Sequence, residues 1–465
     1  MMDRLPLEIL NNICASLPHS DLKNLRLVSQ ALQPSAEFTV FHTVYLRYNL
    51  RSFDRLRDIS NHPRLSKYVK FIDYDFLSFD LNLINTYSPE TSFYDWLYEW
   101  AGRGLGLPER KRERLLRRFS ATRLGEFHIS YTKWIVGQKR LSKQRRARWY
   151  LDNFLARFPN FSGFRFSLRK HVPSTTTGAP KLENLDVVAQ EILAGPDSKF
   201  GPLWCSGHLN FGDFFDSACQ AGFAPKLRQV YMSDQTLGFW NSQAVSSNCY
   251  DEVLPSMETL SLDFPFCPNE SHETFHLGAM VTRCPNLRTL HISLGDMPNY
   301  SSPNTFWHVV HLSDIFTDTK QHLKHLTTLS LEALVTTQPE LQSLLKRHAP
   351  SLRSLTLSKI EFRDRDRPDE CHGSFLSLVQ FMNTSMTLEQ AQFNEAFSNH
   401  WNEFWKVRPS STKYKCPNYP NCFKIQIERF AVRKVPCPFS RVGDDNKRGV
   451  NPWKFDEDNC WYPLE

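Results

Sequence analysis

Residues 284–293 read CPNLRTLHIS, and residues 349–358 read APSLRSLTLS. Both carry a proline, a leucine two residues on, and then apolar residues at alternate positions. The phrase returns as APKLRQVYMS at 224–233, as LPSMETLSLD at 254–263, and without its proline as LKHLTTLSLE at 323–332. FPNFSGFRFS at 158–167 fits it, APKLENLDVV at 179–188 fits loosely, and HPRLSKYVKFID at 62–73 is a version one residue longer. The closing pairs Leu290/Ile292, Leu329/Leu331 and Leu355/Leu357 repeat with period 2, which predicts a short strand with one buried face. Helical patterns precede several of the prolines. In PELQSLLKRHA, starting at Pro339, Leu341, Leu344 and Leu345 share one face; GDFFDSACQAG from Gly212 and HETFHLGAMVTR from His272 occupy the same place upstream. Proline, with no N–H to donate, is expected to end each helix.

Helix, proline, strand, repeated at uneven intervals, describes a chain of supersecondary units that bury their faces against their neighbours. The phrase resembles the L-x-x-L-x-L signature of leucine-rich repeats. The Asn that regular repeats carry a few residues later is missing, so the resemblance implies an irregular array with long returns, over residues 60–380.

A chain of 465 residues with 41% hydrophobic and 13% aromatic content can bury a large core. No apolar run reaches the length of a transmembrane helix, and no secretory leader is expected at the N-terminus. Eleven cysteines without a spacing framework suit reduced thiols, so a cytoplasmic or nuclear location is expected. The net charge of +7 is concentrated: residues 101–150 hold 15 Lys/Arg and 3 Asp/Glu, in RKRERLLRR (110–118) and KRLSKQRRARW (139–149). This basic insertion has the charge of a nuclear-import signal or of a surface for an acidic partner. It also has the pattern of a solvated helical insertion with Leu115, Leu116 and Phe119 turned inward. No nucleic-acid-binding motif accompanies it, so nucleic acid is not the expected partner.

The first 46 residues contain LPLEILNNICASLPHSDLKNLRLVSQALQPSAEFTVFHTVYL from Leu5 onward. Pro6 suits a first helical position and Glu8 a first turn. Ile9, Ile13 and Leu17 form one stripe, which Leu10 and Cys14 widen. Ser20 is placed to cap a second helix carrying Leu22, Leu25, Val28 and Leu32 on one side and Leu27 on another. Pro34 breaks it, and a short third element comes next. These three helices carry more apolar residues than their own packing needs. The segment resembles an F-box, through Leu5-Pro6, Glu8-Ile9, Ile13, Leu17, Asp21-Leu22, Leu25, Leu27-Val28-Ser29 and Phe41, and departs from it at Leu32, where many F-boxes have Trp. The resemblance, to the form common in fungal proteins, implies binding of the Skp-type adaptor, and through it a cullin, in an SCF ubiquitin ligase. The residues it implies for that contact are Leu5, Pro6, Ile9, Ile13, Leu17, Leu22, Leu25 and Val28. The expected fold class is therefore α/β: a three-helix F-box over 1–46, an irregular leucine-rich-repeat-like solenoid over 60–380 with the insertion 101–150, and a C-terminal cap over 381–465.

Enzyme motifs are few. HETFH at 272–276 fits H-E-x-x-H, in which His272 and His276 would hold zinc and Glu273 polarise its water. The third ligand is lacking, and the same residues read as a helix start after a Ser271 cap. Cys416, Cys422 and Cys437 form no C-x-x-C pair. No catalytic residue, metal or cofactor is expected; an F-box protein acts by proximity, holding a substrate near the conjugating enzyme. A non-degradative scaffold that merely docks the adaptor, and more remotely a zinc protease, are the alternatives. RDRDRPDECHG (363–373) reads as a solvated loop. Leu388, Phe393, Phe397, Trp401, Phe404 and Trp405 read as an amphipathic helix, and Trp453, Trp461 and Tyr462 belong to the cap.

In each repeat the residues between the leucines point away from the core. These are Gln229, Tyr231 and Ser233; Thr259, Ser261 and Asp263; Thr289, His291 and Ser293; Thr328, Ser330 and Glu332; Ser354, Thr356 and Ser358. From them Tyr231, Ser233, Ser261, Asp263, His291, Ser330, Glu332 and Thr356 are the expected contacts for a protein substrate, with Tyr231 as anchor and a polar or basic segment as occupant.

Overall fold

The computed structural model describes residues 5–75, 109–117, 120–143, 146–167, 211–233, 247–264, 280–294, 310–316, 323–364, 373–398, 404–407, 423–436, 453–455 and 461–463, with short pieces at 94–95, 98 and 277–278. The chain divides into two compact units, residues 1–253 and 254–465.

The repeated phrase is a turn feeding a strand. In three copies the residue before the proline accepts a hydrogen bond from the N–H three residues on: Phe161 to Phe158, Met257 to Leu254 and Leu287 to Cys284, each at 3.1 Å. In the copies at 224–233 and 349–358 the leucine N–H donates one residue further back, Leu227 to Phe223 O at 2.9 Å and Leu352 to His348 O at 2.8 Å. In the first three, proline thus holds the second position of a β-turn, where its fixed φ is pre-set, rather than acting mainly as a helix terminator. Leu326 makes the same bond to Leu323 at 3.0 Å with Lys324 in that position, so the phrase at 323–332 folds without its proline. The turn drives the apolar fourth residue of the phrase inward. Leu227, Met257, Leu287, Leu326 and Leu352 are all fully buried. The side-chain amides of Asn160 and Asn286 donate to the backbone of the preceding unit, at Lys67 O (2.6 Å) and Pro255 O (2.7 Å).

In the first unit, α1 (Leu7–Ser16), α2 (His19–Val28) and α3 (Gln33–Phe41) lead into a parallel sheet of β1 (Thr43–Arg47), β2 (Phe71–Asp75), β3 (Gly163–Ser167) and β4 (Gln229–Met232), in that order. The expected cap Ser20 does not cap: α2 begins two residues earlier than such a cap implies, Pro18 is its N-cap, and the Ser20 hydroxyl donates to Asp21. The end of the expected three-helix segment is a strand, β1, since Val44 and Leu46 alternate into the core. Helix α4 (Leu50–Asn61) packs on β1. Residues 101–150 contribute α5 (Glu109–Leu116), α6 (Ala121–Ser142) and the start of α7 (Arg146–Phe154). Leu116 is buried, as are Tyr150 and Leu151. Helix α8 (Phe211–Gln220), which precedes the short helix α9 (Ser247–Val253), lies on the apolar face of the sheet, and α7 packs against α8 and α4. Phe214 is the centre of that core, with ring centroids 4.9 Å from Tyr74, 5.2 Å from Phe164 and 5.0 Å from Phe166.

The second unit contains β5 (Thr259–Asp263), β6 (Thr289–Ser293), the single turn α10 (Leu312–Ile315), β7 (Thr328–Thr336), α11 (Gln338–His348), β8 (Ser354–Phe362), α12 (Phe375–Ser385) and β9 (Gln390–Ser398). The strands β5 to β9 are parallel and stand in sequence order, and β10 (Phe404–Val407) pairs antiparallel with β9. Leu290, Leu329 and Leu355 share one register row, and Ile292, Leu331 and Leu357 the next. Both β7 and β8 bend at a left-handed residue, Ala333 (φ 57°) and Lys359 (φ 51°), and the ladder resumes at Leu334 and Ile360. Helix α11 has a reciprocal cap: Thr337 Oγ1 accepts from Glu340 N, and Glu340 Oε2 accepts from Thr337 N at 3.0 Å.

The amphipathic helix expected through Phe393 and Phe397 is a strand. A four-residue spacing puts both rings on one side in either structure, but Gln390, Gln392 and Asn394 alternate with them, and the open edge of β8 offers eight or nine residues of backbone partners. Trp401 lies outside the described residues. The boundary expected at 381 falls inside α12, and β9 continues the sheet beyond it. Helix α13 (Phe423–Ala431) then packs on α12 and β9. Its Glu428 accepts from Phe393 N at 2.8 Å, and Lys424 donates to Phe393 O at 2.7 Å. Strands β11 (Trp453–Phe455) and β12 (Trp461–Pro463) pair with each other.

No helix among the described residues is long and apolar enough to cross a membrane, and no metal-holding cluster occurs among them. The sequence HETFH at 272–276, the cysteines 416, 422 and 437, and most of the loop 363–373 lie outside the described residues.

Candidate functional site

The three N-terminal helices bury a small core of Cys14, Leu22, Ala36 and Val40, against which Leu17, Leu25 and Phe41 pack. A core of this size leaves apolar residues over. Leu5, Leu7 and Ile9 at the start of α1 are 39%, 55% and 45% exposed, and Leu27 and Val28 at the end of α2 are 78% and 80% exposed. Of the residues expected to meet an adaptor, Leu5, Pro6, Ile9 and Val28 are thus on the surface; Ile13, Leu17 and Leu25 are half-buried. Leu22 is inside, at 2% exposure, so its side chain supports the fold and offers no contact. Leu7 and Leu27 are exposed but absent from the expected contacts, because they fall off the main stripes. That position is itself the signal that could have found them. Apolar residues off the packing stripe of a small helical unit are the ones its own core cannot use.

Side chains fix the helices to the first sheet. Glu37 on α3 is 3% exposed, and its Oε1 accepts from Arg64 Nη2 at 3.0 Å and from Gln33 Nε2 at 3.0 Å. Phe38 stands edge-on to His42 (5.7 Å) and Tyr68 (6.2 Å), and His42 lies 5.3 Å from Phe71 on β2. The exposed apolar residues therefore sit on a helical unit joined to the sheet through packed side chains as well as through the chain itself.

Residues 2–33 match the F-box domain model. The match covers α1, α2 and the turn into α3. No curated protein matches the chain. An F-box implies an adaptor-binding role of the SCF type, and F-box proteins are in general non-catalytic parts of ubiquitin ligases.

Beyond the F-box, the structure brings together most of the expected substrate contacts of the second unit. Ser261, His291, Ser330 and Thr356 form one row across β5 to β8, and Asp263, Ser293, Glu332 and Ser358 form the next. The neighbours in sequence of the first row are fully buried apolar residues, so that row lies on the face away from the core; in the second row Asp263 and Glu332 are half-buried, while Ser293 and Ser358 are themselves buried, at 6% and 4% exposure. Burial pushes the Asp263 carboxyl above the ordinary carboxylate range; the Ser293 hydroxyl donating to it, and then His291, oppose part of that. Burial holds the His291 imidazole below its ordinary value, and Asp263 opposes it. Tyr231 and Ser233 belong to the first unit. The Ser233 N–H donates to Phe166 O at 2.8 Å. Tyr231 is half-buried and already engaged: its hydroxyl donates to Gln229 Oε1 at 3.1 Å, and its ring faces Arg165.

A raised carboxyl pKa has a fixed sign. Ionising Asp263 is harder in the fold than in the unfolded chain, so folding loses stability as pH rises from the unfolded value through the folded one. Asp263→Asn removes that loss. The thermal midpoint of the variant relative to the unaltered chain should therefore increase between pH 4 and pH 7. A difference that stays flat across this range would mean that the carboxyl keeps its ordinary hydration.

Proposed function

We propose that this chain is a substrate receptor of an SCF ubiquitin ligase. The F-box would bind the Skp-type adaptor, and through it the cullin, while the sheet faces of the remaining chain hold a protein substrate. The observation that carries this reading is the F-box match over residues 2–33 together with the exposed apolar residues of α1 and α2. Exposed leucine, isoleucine and valine on one small unit cost solubility unless a partner covers them.

For the rest of the chain, the reading is an irregular leucine-rich-repeat-like solenoid. It is supported by the recurring turn, by strands that run in sequence order and in parallel register, and by the leucine rows within the second unit. Such an array presents one polar face of every strand in succession, which suits an extended protein segment. The ligase then works by proximity, with no catalytic residue in this chain. A cytoplasmic or nuclear place goes with that role.

The test has two stages. The full chain should co-purify with a Skp-type adaptor when the two are co-expressed; failure would remove the ligase reading altogether. With adaptor, cullin, RING protein and conjugating enzyme supplied, the assembled complex should promote ubiquitin transfer to proteins captured by the chain. An adaptor complex that captures proteins without transfer would favour the non-degradative scaffold.

A further inference from the structure

On the outward face of the first sheet, three basic side chains gather around aromatic rings. Residues 43, 71, 163 and 229 share one register row, and Tyr45, Asp73, Arg165 and Tyr231 share a row two residues further along the strands. Gly163 leaves a gap in the first row that Phe71 fills: a Cβ there would stand 2.7 Å from the Phe71 ring and 2.6 Å from Gln229 O. The Arg165 guanidinium carbon then lies 4.9 Å from the centroid of Phe71 and 5.1 Å from that of Tyr231. Lys70, exposed, stands over Phe38 at 5.9 Å. His42, half-buried against Phe71, feels both cations: burial first, then Lys70, then Arg165 hold its imidazole below the ordinary value.

The acidic side of this face is already committed. Asp75 is tied to Arg47, which donates to it at 2.8 Å and 2.5 Å, with both side chains 7% exposed. Asp73 is 3% exposed. Among the described residues neither Lys70 nor Arg165 forms an ion pair, and Arg165 Nε–H is buried without an acceptor. Flat rings hold the guanidinium in place without neutralising it. A buried donor without an acceptor is costly, and a ligand carboxylate would satisfy it.

We propose that this face is a docking surface for an acidic, extended peptide segment, whose carboxylates pair with Arg165 and Lys70 beside the Phe71 and Tyr231 rings. The proposal gives a substrate chemistry to the receptor reading and rests on it. It also reverses, for this unit, the sign expected from the sequence. Tyr231 supports a cation here, so the first unit suits an acidic segment, whereas the Asp263 and Glu332 face of the second unit suits a basic one.

Fluorescence anisotropy on the full chain, without adaptor, tests this. The probe is a labelled twelve-residue peptide alternating Glu and Gly with one central Leu; its Lys counterpart and a twelve-nucleotide single-stranded RNA are the controls. The acidic peptide should bind; any binding of the Lys peptide, which the face of the second unit suits, should not be weakened by Arg165→Gln or Lys70→Glu. Arg165→Gln and Lys70→Glu should each weaken binding by about tenfold, the scale of one lost charge-assisted pair. Asp263→Asn, on the other unit, should leave it unchanged. Lys70 is exposed, so its variant reports even if Arg165→Gln destabilises the sheet. Absence of acidic-peptide binding, undiminished binding by both variants, or tighter binding of the RNA would each overturn the proposal. Because no adaptor is present, such a failure leaves the adaptor-binding reading untouched.

Discussion

Replacing Leu27 and Val28 together by Asp should abolish co-purification with a Skp-type adaptor while the free chain stays folded. Both side chains are about four-fifths exposed, so in the free chain two carboxylates there remain in water. They sit in the last turn of α2, where a negative charge opposes the helix dipole at a cost of about 0.3–1 kcal/mol each. In an apolar interface the same carboxylates would lose their water without gaining a partner, which costs several kcal/mol. A loss of about 4 kcal/mol is roughly a thousandfold in affinity, enough to clear a pull-down. Leu22→Asp should abolish co-purification as well, but for a different reason. Leu22 is in the F-box core, and a charge there unfolds the three helices. Circular dichroism and the thermal midpoint separate the two: little change for the double variant, lost helix signal for Leu22→Asp. Adaptor binding retained by a folded Leu27→Asp, Val28→Asp chain would move the contact to Leu5, Leu7 and Ile9, or away from the F-box.

What the sequence disclosed and what it hid divide along physical lines. The repeated phrase was legible because its determinants are local: a four-residue turn, then alternation of buried and exposed side chains, as in Leu290/Ile292 and Leu355/Leu357. The helix of Leu341, Leu344 and Leu345 was legible for the same reason, although its capping box, Thr337 with Glu340, starts it one residue before Pro339. Phe393 and Phe397 are ambiguous in sequence because a four-residue spacing is common to helix and strand, and only the free edge of β8 decides between them. Leu22 is ambiguous because a stripe shows which residues share a face, not whether that face meets the other helices or a partner. The cation cluster of Arg165 could not be seen at all. It needs Phe71, Gly163 and Tyr231, from three strands up to about 160 residues apart, brought into adjacent register. The basic insertion shows the same limit: its charge was plain, but the partner of each charge was not.

Arg148 is the clearest case of that last point, and its removal should be the most damaging loss of a charge among the described residues of the basic insertion. It lies in the run KRLSKQRRARW, yet its side chain is only 14% exposed. Its Nε donates to Asp152 Oδ1 at 2.8 Å, and its Nη1 to Asp213 Oδ1 and Asp216 Oδ2 at 3.2 Å each. The Ser217 hydroxyl completes the cluster by donating to Asp152 at 2.6 Å. One guanidinium therefore joins α7 to α8 over the aromatic core of the first unit. In Arg148→Ala three partly buried carboxylates face one another with their shared cation gone. Losing one partner of a buried pair costs about 3–5 kcal/mol, and these carboxylates keep some water, so about 3 kcal/mol is expected in urea unfolding at pH 7. Arg148→Lys should lose less, since it restores a charge but not the fork that reaches three acceptors. The pH dependence fixes the cause. With the shared cation gone, the negative charges of the three carboxylates repel one another in the Ala variant, and acid relieves that repulsion. The deficit should shrink as the pH is lowered from 7 towards 4, and Arg148→Met, which keeps an apolar stem, should show the same trend. A deficit below about 1 kcal/mol, of the size of an exposed pair, or one that is equal at both pH values, would show that water and not Arg148 satisfies the three aspartates.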